Sequence, residues 1–137
     1  MIEIKNPKKK LLTNGRFVYS CYYHVIFCPK YRRRILAGTI EADLRNIFDE
    51  TALKYKFEIV ELEILLDHVH MIISCDPSFG ILSCIARLKG VSASVLRKKY
   101  PTLKRMPCLW TRSSFISTVG TVSLEIVKKY IENQKGK

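Results

Sequence analysis

Phe57-Glu58-Ile59-Val60-Glu61-Leu62-Glu63-Ile64-Leu65-Leu66-Asp67-His68-Val69-His70-Met71-Ile72-Ile73-Ser74-Cys75 is the stretch that decides the fold. In its first half Val60, Leu62, Ile64 and Leu66 fall on one side and Glu61 and Glu63 on the other, the period-two pattern of a half-buried strand over 57–66. Asp67 interrupts, and residues 68–75 resume as a second strand that Asp76-Pro77 ends. Two strands this close in sequence predict a hairpin.

Outward from the hairpin, the run 16–28 (RFVYSCYYHVIFC), rich in Val, Ile, Phe and Tyr and stopped by Pro29, predicts an earlier strand. Between it and the hairpin, Thr39 is placed to cap a helix over 40 to about 56, where Leu44, Ile47, Phe48, Thr51 and Tyr55 recur every three or four residues. After the hairpin, Ile81, Leu82, Ile85, Leu88, Val91, Val95 and Leu96 predict a second helix over 78–100, with Gly90 its weak point and Pro101 its stop. A short strand from about Leu109-Trp110 to Val119, then Gly120, then a last helix over about 123–134 complete the chain. The order β-α-β-β-α-β predicts an α+β, ferredoxin-like (RRM-like) antiparallel sheet with helices on one face and the other left open, plus a C-terminal helix. Residues 1–137 are expected to form one domain, with 1–15 a basic arm and 121–137 the last helix.

The chain of 137 residues carries 24 Lys and Arg against 12 Asp and Glu, a net charge of +12. Residues 1–34 hold nine basic and one acidic residue, 35–81 three and nine, and 82–137 twelve and two. If both basic flanks meet on one side of the domain, they form a surface for a polyanion, most commonly nucleic acid; solvated basic faces are the alternative. Five cysteines without a C-x-x-C pair argue against a disulfide framework and fit a reducing cytoplasm. No stretch reaches the length of a membrane span, and the lysine-rich start lacks the apolar region of a signal peptide, so no membrane role is expected. Neither G-x-x-x-x-G-K-[ST] nor G-x-G-x-x-G occurs, which argues against a nucleotide cofactor. Ser113 and Ser114 have no neighbouring His–acid pair, so serine hydrolase chemistry has no support.

His68 and His70 alternate with Val69 and therefore share one face of their strand, about 6.5–7 Å apart at Cα. They suit one metal ion with a third ligand, or they are ordinary sheet histidines. His24 reads as structural or as a contact, with no metal role. Tyr130 and Gln134 stack one turn apart on the last helix, near Ile126 and Val127. They read as core packing, or as a nucleophile and an oxygen ligand, with Lys128 and Lys129 placed to stabilise a phosphate or phenolate. Lys30-Tyr31-Arg32-Arg33-Arg34 mixes one aromatic with four cations, which suits bases and phosphates as well as it suits solvent. Arg97, Lys98 and Arg112 invite the same two readings.

Together, residues 23–33 (YHVIFCPKYRR), 67–70 (DHVH), 109–113 (LWTRS) and 130–134 (YIENQ) resemble the TnpA-type single-tyrosine HUH transposases of the smallest insertion sequences. Leu66 departs from the pattern, since the family more often has proline before the Asp-His pair. The resemblance implies a metal-dependent DNA strand transferase acting on single strands that bear hairpins. It implies Tyr130 as nucleophile through a 5′-phosphotyrosine, and His68, His70 and Gln134 as ligands of Mg²⁺ or Mn²⁺. It also implies a homodimer with active sites shared between subunits; the sequence itself offers Gly120, just before the last helix, as a hinge for exchanging that helix. Lys30, Arg32, Arg33, Arg34, Arg97, Lys98, Arg112 and Lys129 are the candidate DNA contacts. A domesticated relative that processes palindromes, or a silent nucleic-acid-binding module on the same fold, would look the same at this level.

Overall fold

The computed structural model describes residues 12–119 and 129–134. A small antiparallel pair comes first, β1 (Leu12–Thr13) with β2 (Val18–Tyr19), followed by β3 (Tyr22–Phe27) and a turn of 3₁₀ helix at Lys30–Arg32. Then come α1 (Gly38–Tyr55), the hairpin β4 (Glu58–Leu65) and β5 (His68–Ser74), α2 (Ile81–Lys99), the short α3 (Pro101–Lys104) and β6 (Phe115–Thr118). The main sheet is antiparallel in the order β4-β5-β3-β6, the ferredoxin-like arrangement expected from the sequence.

Alternation on β3 and β5 makes the core. Val25, Phe27, Val69, Met71 and Ile73 face the helices, where Leu44, Ile47 and Phe48 of α1 and Cys84, Ile85, Leu88 and Leu96 of α2 bury them. Full burial of each such side chain is worth about 1.5–3 kcal/mol. Trp110 closes one end, its ring edge-on to Phe27 at 4.8 Å and its Nε1–H donating to Ser92 Oγ at 2.9 Å.

Several sequence expectations are corrected. The strand predicted over 16–28 is two elements, because Val18–Tyr19 pairs back onto Leu12–Thr13 across a turn in which Asn14 Oδ1 accepts from the amides of Arg16 and Phe17. Thr39 caps nothing; the chain enters α1 through Gly38 at φ 59°, a left-handed conformation that suits glycine. The second helix starts at Ile81 rather than 78, and Leu82 and Val95 lie on its exposed side. Pro101 ends α2 and also opens α3, where its missing N–H costs nothing. Near 109 the chain makes only an isolated antiparallel bridge, Trp110 with Pro29, and the last strand proper begins at Phe115; between them the carbonyls of Thr111 and Ser113 turn to Lys89 Nζ at 2.9 and 3.0 Å. Val60 sits at a register shift between Ile59 and Glu61 and packs with Tyr22, Ile72 and Val119, away from Leu62 and Ile64. Of the last helix, Lys129–Glu132 is helical; its predicted start at 123, the hinge at Gly120 and most of the basic arm lie outside the described residues.

Candidate active site

Register places the site on the sheet face opposite the helices. Phe115, Ile26, His70 and Glu63 are mutual partners across β6, β3, β5 and β4, so all four point to that face. His68 and His70 share it with His24, two residues before Ile26. The face is partly covered: Ile131 packs on Ile26, and the Tyr130 ring meets Phe115 at 5.3 Å between centroids. Tyr130 thus lies over the β6 end of the row on which His70 stands, with Ile26 of β3 between them.

The histidines are buried and largely without partners. His68 Nδ1 pairs with Asp67 Oδ1 at 2.8 Å, while its Nε2 is buried and has no hydrogen bond among the described residues. Both ring nitrogens of His70 and both of His24 are in the same state, and the two rings lie 5.7 Å apart. Burial, followed by the neighbouring His24 and His68, pushes the His70 pKa down to about 4, and burial lowers that of His24. At neutral pH the His70 ring is therefore an uncharged donor of a lone pair. A carboxylate on the far nitrogen, as Asp67 provides for His68, is the usual way a metal-binding imidazole is oriented.

Arg32 joins the two halves of the site. Its Nε donates to Asp67 Oδ2 at 2.7 Å, and its Nη1 donates to the carbonyl of Ile131 at 2.9 Å. Burial alone would raise the Asp67 pKa, but the bonds from His68 and Arg32 outweigh it and hold the carboxyl below its ordinary value. Arg32 achieves this reach from a left-handed backbone, φ 52°, directly after Tyr31 at φ 60°. Two consecutive non-glycine residues in this region are unusual, and strain of this kind gathers at functional sites.

Ser113 meets the last helix from the other side. Its Oγ–H donates to Gln134 Oε1 at 3.0 Å and lies 3.5 Å from the Tyr130 hydroxyl. Burial raises the Tyr130 pKa, and the contact with Ser113 partly offsets it. Gln134 is itself buried, at 3 % exposure. No three His, Cys, Asp or Glu side chains gather as a metal-holding group among the described residues.

The candidate DNA contacts divide. Lys30 and Arg33 sit over the exposed Tyr31 ring at 5.2 and 5.9 Å, Arg34 is exposed beside Asp67, and Arg112 and Lys129 are exposed next to Ser113 and Tyr130. Arg97 and Lys98 lie in the helical layer, across the sheet from the histidines, and Arg97 is spent on the carbonyls of Lys104 and Met106.

A family model described as "Transposase IS200 like" matches residues 17–134, from the turn before β2 to Gln134. The chain belongs to the IS200-like transposase family. It is 36% identical over 130 residues to the ISDra2 transposase TnpA of Deinococcus radiodurans, covering 92% of this chain and 93% of that one. It is 31% identical over 119 residues to the IS200 transposase of Salmonella typhimurium, covering 85% and 78%. A crystal structure of a Deinococcus radiodurans transposase superposes with a TM-score of 0.82 at 32% identity, over 92% of this chain and all of that one. A REP-associated tyrosine transposase solved with a REP hairpin shares the fold alone, with a TM-score of 0.56 at 12% identity.

In this IS200-like transposase, sequence reasoning missed the bridge made by Arg32, the contact of Ser113 with both Tyr130 and Gln134, and the pairing of the His24 and His70 rings, whose nitrogens have no hydrogen bond among the described residues. Only pairing register could have shown that Glu63 stands opposite His70. No helix among the described residues is long and apolar enough to cross a membrane.

Proposed function

We propose that the chain cuts and rejoins single-stranded DNA at element ends that carry hairpins, through a tyrosine–DNA intermediate. The observation that carries this reading is that Tyr130 and the buried histidine pair lie over the same open sheet face, along the row Phe115–Ile26–His70. The Tyr130 oxygen attacks a backbone phosphorus and gives up its proton, the bond to the 3′ oxygen breaks, and a 5′-phosphotyrosine and a free 3′-hydroxyl result. Attack by another 3′-hydroxyl on that linkage expels the tyrosine and joins new ends, so no nucleoside triphosphate is consumed.

His68, His70 and Gln134 offer a divalent ion buried ring nitrogens without hydrogen-bond partners among the described residues and an amide oxygen; Mg²⁺ or Mn²⁺ is the ion we propose, although two imidazoles would also accept Zn²⁺ or another first-row metal. A divalent ion there supplies positive charge that polarises the scissile phosphate. Asp67 orients His68, and Arg32 ties Asp67 to the helix of the nucleophile. Ser113 orients the phenol. The half-buried Lys30 and the exposed Arg33, Arg34, Arg112 and Lys129 contact phosphates, and the hairpin bound by the REP-associated tyrosine transposase supports hairpin-bearing DNA as the partner.

The working form we propose is a homodimer with shared sites. Lys129–Gln134 lies over its own sheet through Ile131 on Ile26, Tyr130 on Phe115 and the Arg32 bond, and a partner's sheet offers the same contacts.

The test is incubation with single-stranded hairpin DNA and Mg²⁺ or Mn²⁺, followed by a denaturing gel. A covalent adduct is expected. His68→Ala or His70→Ala should remove it with little change in DNA affinity, which resides in phosphate contacts and falls steeply with salt. Full cleavage in excess chelator would overturn the metal assignment. Mixing His68→Ala with Tyr130→Phe under subunit exchange restores cleavage if sites are shared and leaves it absent if each subunit keeps its own.

A further inference from the structure

A cleft of about 390 Å³ opens between the Lys30–Arg34 segment and the hairpin turn, lined by Arg32, Arg34, Leu65, Leu66 and Asp67. We propose that it is a pocket for one unpaired nucleotide flanking the scissile phosphate, a proposal that rests on the DNA-cleavage reading above.

Location is the first argument. Asp67 is both a wall of the cleft and the partner of the His68 ring, so an occupant lies one residue from the histidine pair. Charge is the second. The Asp67 carboxylate is already matched by Arg32 and His68, whereas Arg34 is exposed and makes no hydrogen bond or ion pair among the described residues. One cation is therefore left over for an anionic occupant. Surface is the third: Leu65 and Leu66 supply an apolar wall, and Leu66 is 39 % exposed at a tight turn where nothing covers it among the described residues. A flat aromatic ring joined to a phosphate satisfies both walls, and within a DNA strand an unstacked nucleotide presents its ring this way.

The cleft is also preformed. Leu36 N–H donates to the Leu66 carbonyl at 3.0 Å and ties its two sides together, and Arg32 is fixed at both Asp67 and Ile131. Its volume falls within the ~300–1,000 Å³ of small-ligand clefts.

The experiment uses the full chain and a hairpin-bearing single strand from the flanks of its own gene. One base at a time is removed around the cleavage point, and Kd and adduct rate are measured for wild type, Leu66→Asn and Arg34→Gln. Both substituted residues are exposed, and thermal melting checks the fold. One abasic position should cost the wild type about tenfold and Leu66→Asn less than about twofold. A neutral methylphosphonate beside that position should likewise weaken the wild type and leave Arg34→Gln nearly unchanged. The pocket is overturned if no position couples to Leu66. It is also overturned if Arg34→Gln only weakens all strands evenly while lowering the salt dependence by about one phosphate contact. A wild type that forms no adduct yet shows the coupling in Kd refutes cleavage and leaves the pocket standing.

Discussion

Alternate residues of β3 and β5 go to opposite faces of one sheet, and the two faces are finished in different ways. Toward the helices, Val25, Phe27, Val69, Met71 and Ile73 are apolar and sealed. Toward the last helix, His24, His68 and His70 are equally buried, yet five of their ring nitrogens have no partner among the described residues. A buried polar atom left unpaired costs about 1–3 kcal/mol, so the second face gives up stability that the first supplies. The difference teaches where to look for chemistry: at burial that folding alone does not reward.

Substitutions that strike one face only put this contrast at risk. Tyr130→Phe should reduce adduct formation at least about a thousandfold while hairpin binding and melting temperature stay close to wild type, since only a hydroxyl is lost. Adduct retained by the variant would remove Tyr130 from its role.

On the helix side, Met71→Ala should cost about 2–5 kcal/mol in urea unfolding, the usual result of emptying a fully buried site. Its residual folded fraction should cleave normally. A specific loss of cleavage would mean that the two faces are not separable.

Acid should act through the histidine face. Burial holds the His70 pKa near 4, below the ordinary 6.5, so the unfolded chain takes up the proton first as pH falls. Metal-free protein should keep this stability above about pH 6.5 and lose it progressively toward pH 4, by something of the order of 3 kcal/mol. His70→Gln should flatten that part of the profile when denaturation midpoints are compared at several pH values. Equal slopes for variant and wild type would refute the assignment.

The smallest expected effect is the most telling. His24→Leu replaces a ring without hydrogen-bond partners among the described residues by an apolar chain, so metal-free stability should change by less than about 1 kcal/mol, or rise. Destabilisation as large as that of Met71→Ala would show that His24 has a partner the face conceals.

The hairpin and both long helices were legible because their signals are local: alternation across 57–75, and the stripe Leu44-Ile47-Phe48-Thr51. What was not legible depends on distant partners. Nothing within 16–28 reveals that Val18–Tyr19 pairs with Leu12–Thr13, and nothing within 109–114 reveals that Lys89 holds its carbonyls. The site divides the same way. His68-x-His70 and Tyr130-x-x-x-Gln134 could be singled out in the sequence, their proposed roles coming from the family resemblance, whereas Arg32 reaches residues 35 and 99 positions away. Its two bonds arise from a backbone conformation that residue type does not announce.

The irregular register at Val60 has a consequence for the molecule in company. β4 is an outer strand, and an outer strand is a template on which another chain can build a continued sheet. Here the ladder is broken between Ile59 and Glu61, and Glu58, Glu61 and Glu63 all project from the same side, opposite Ser74, Ile72 and His70. A stacking neighbour would meet a kinked backbone and a row of like charges. The strand that borders the histidines thereby helps keep separate molecules from fusing edge to edge into insoluble fibres.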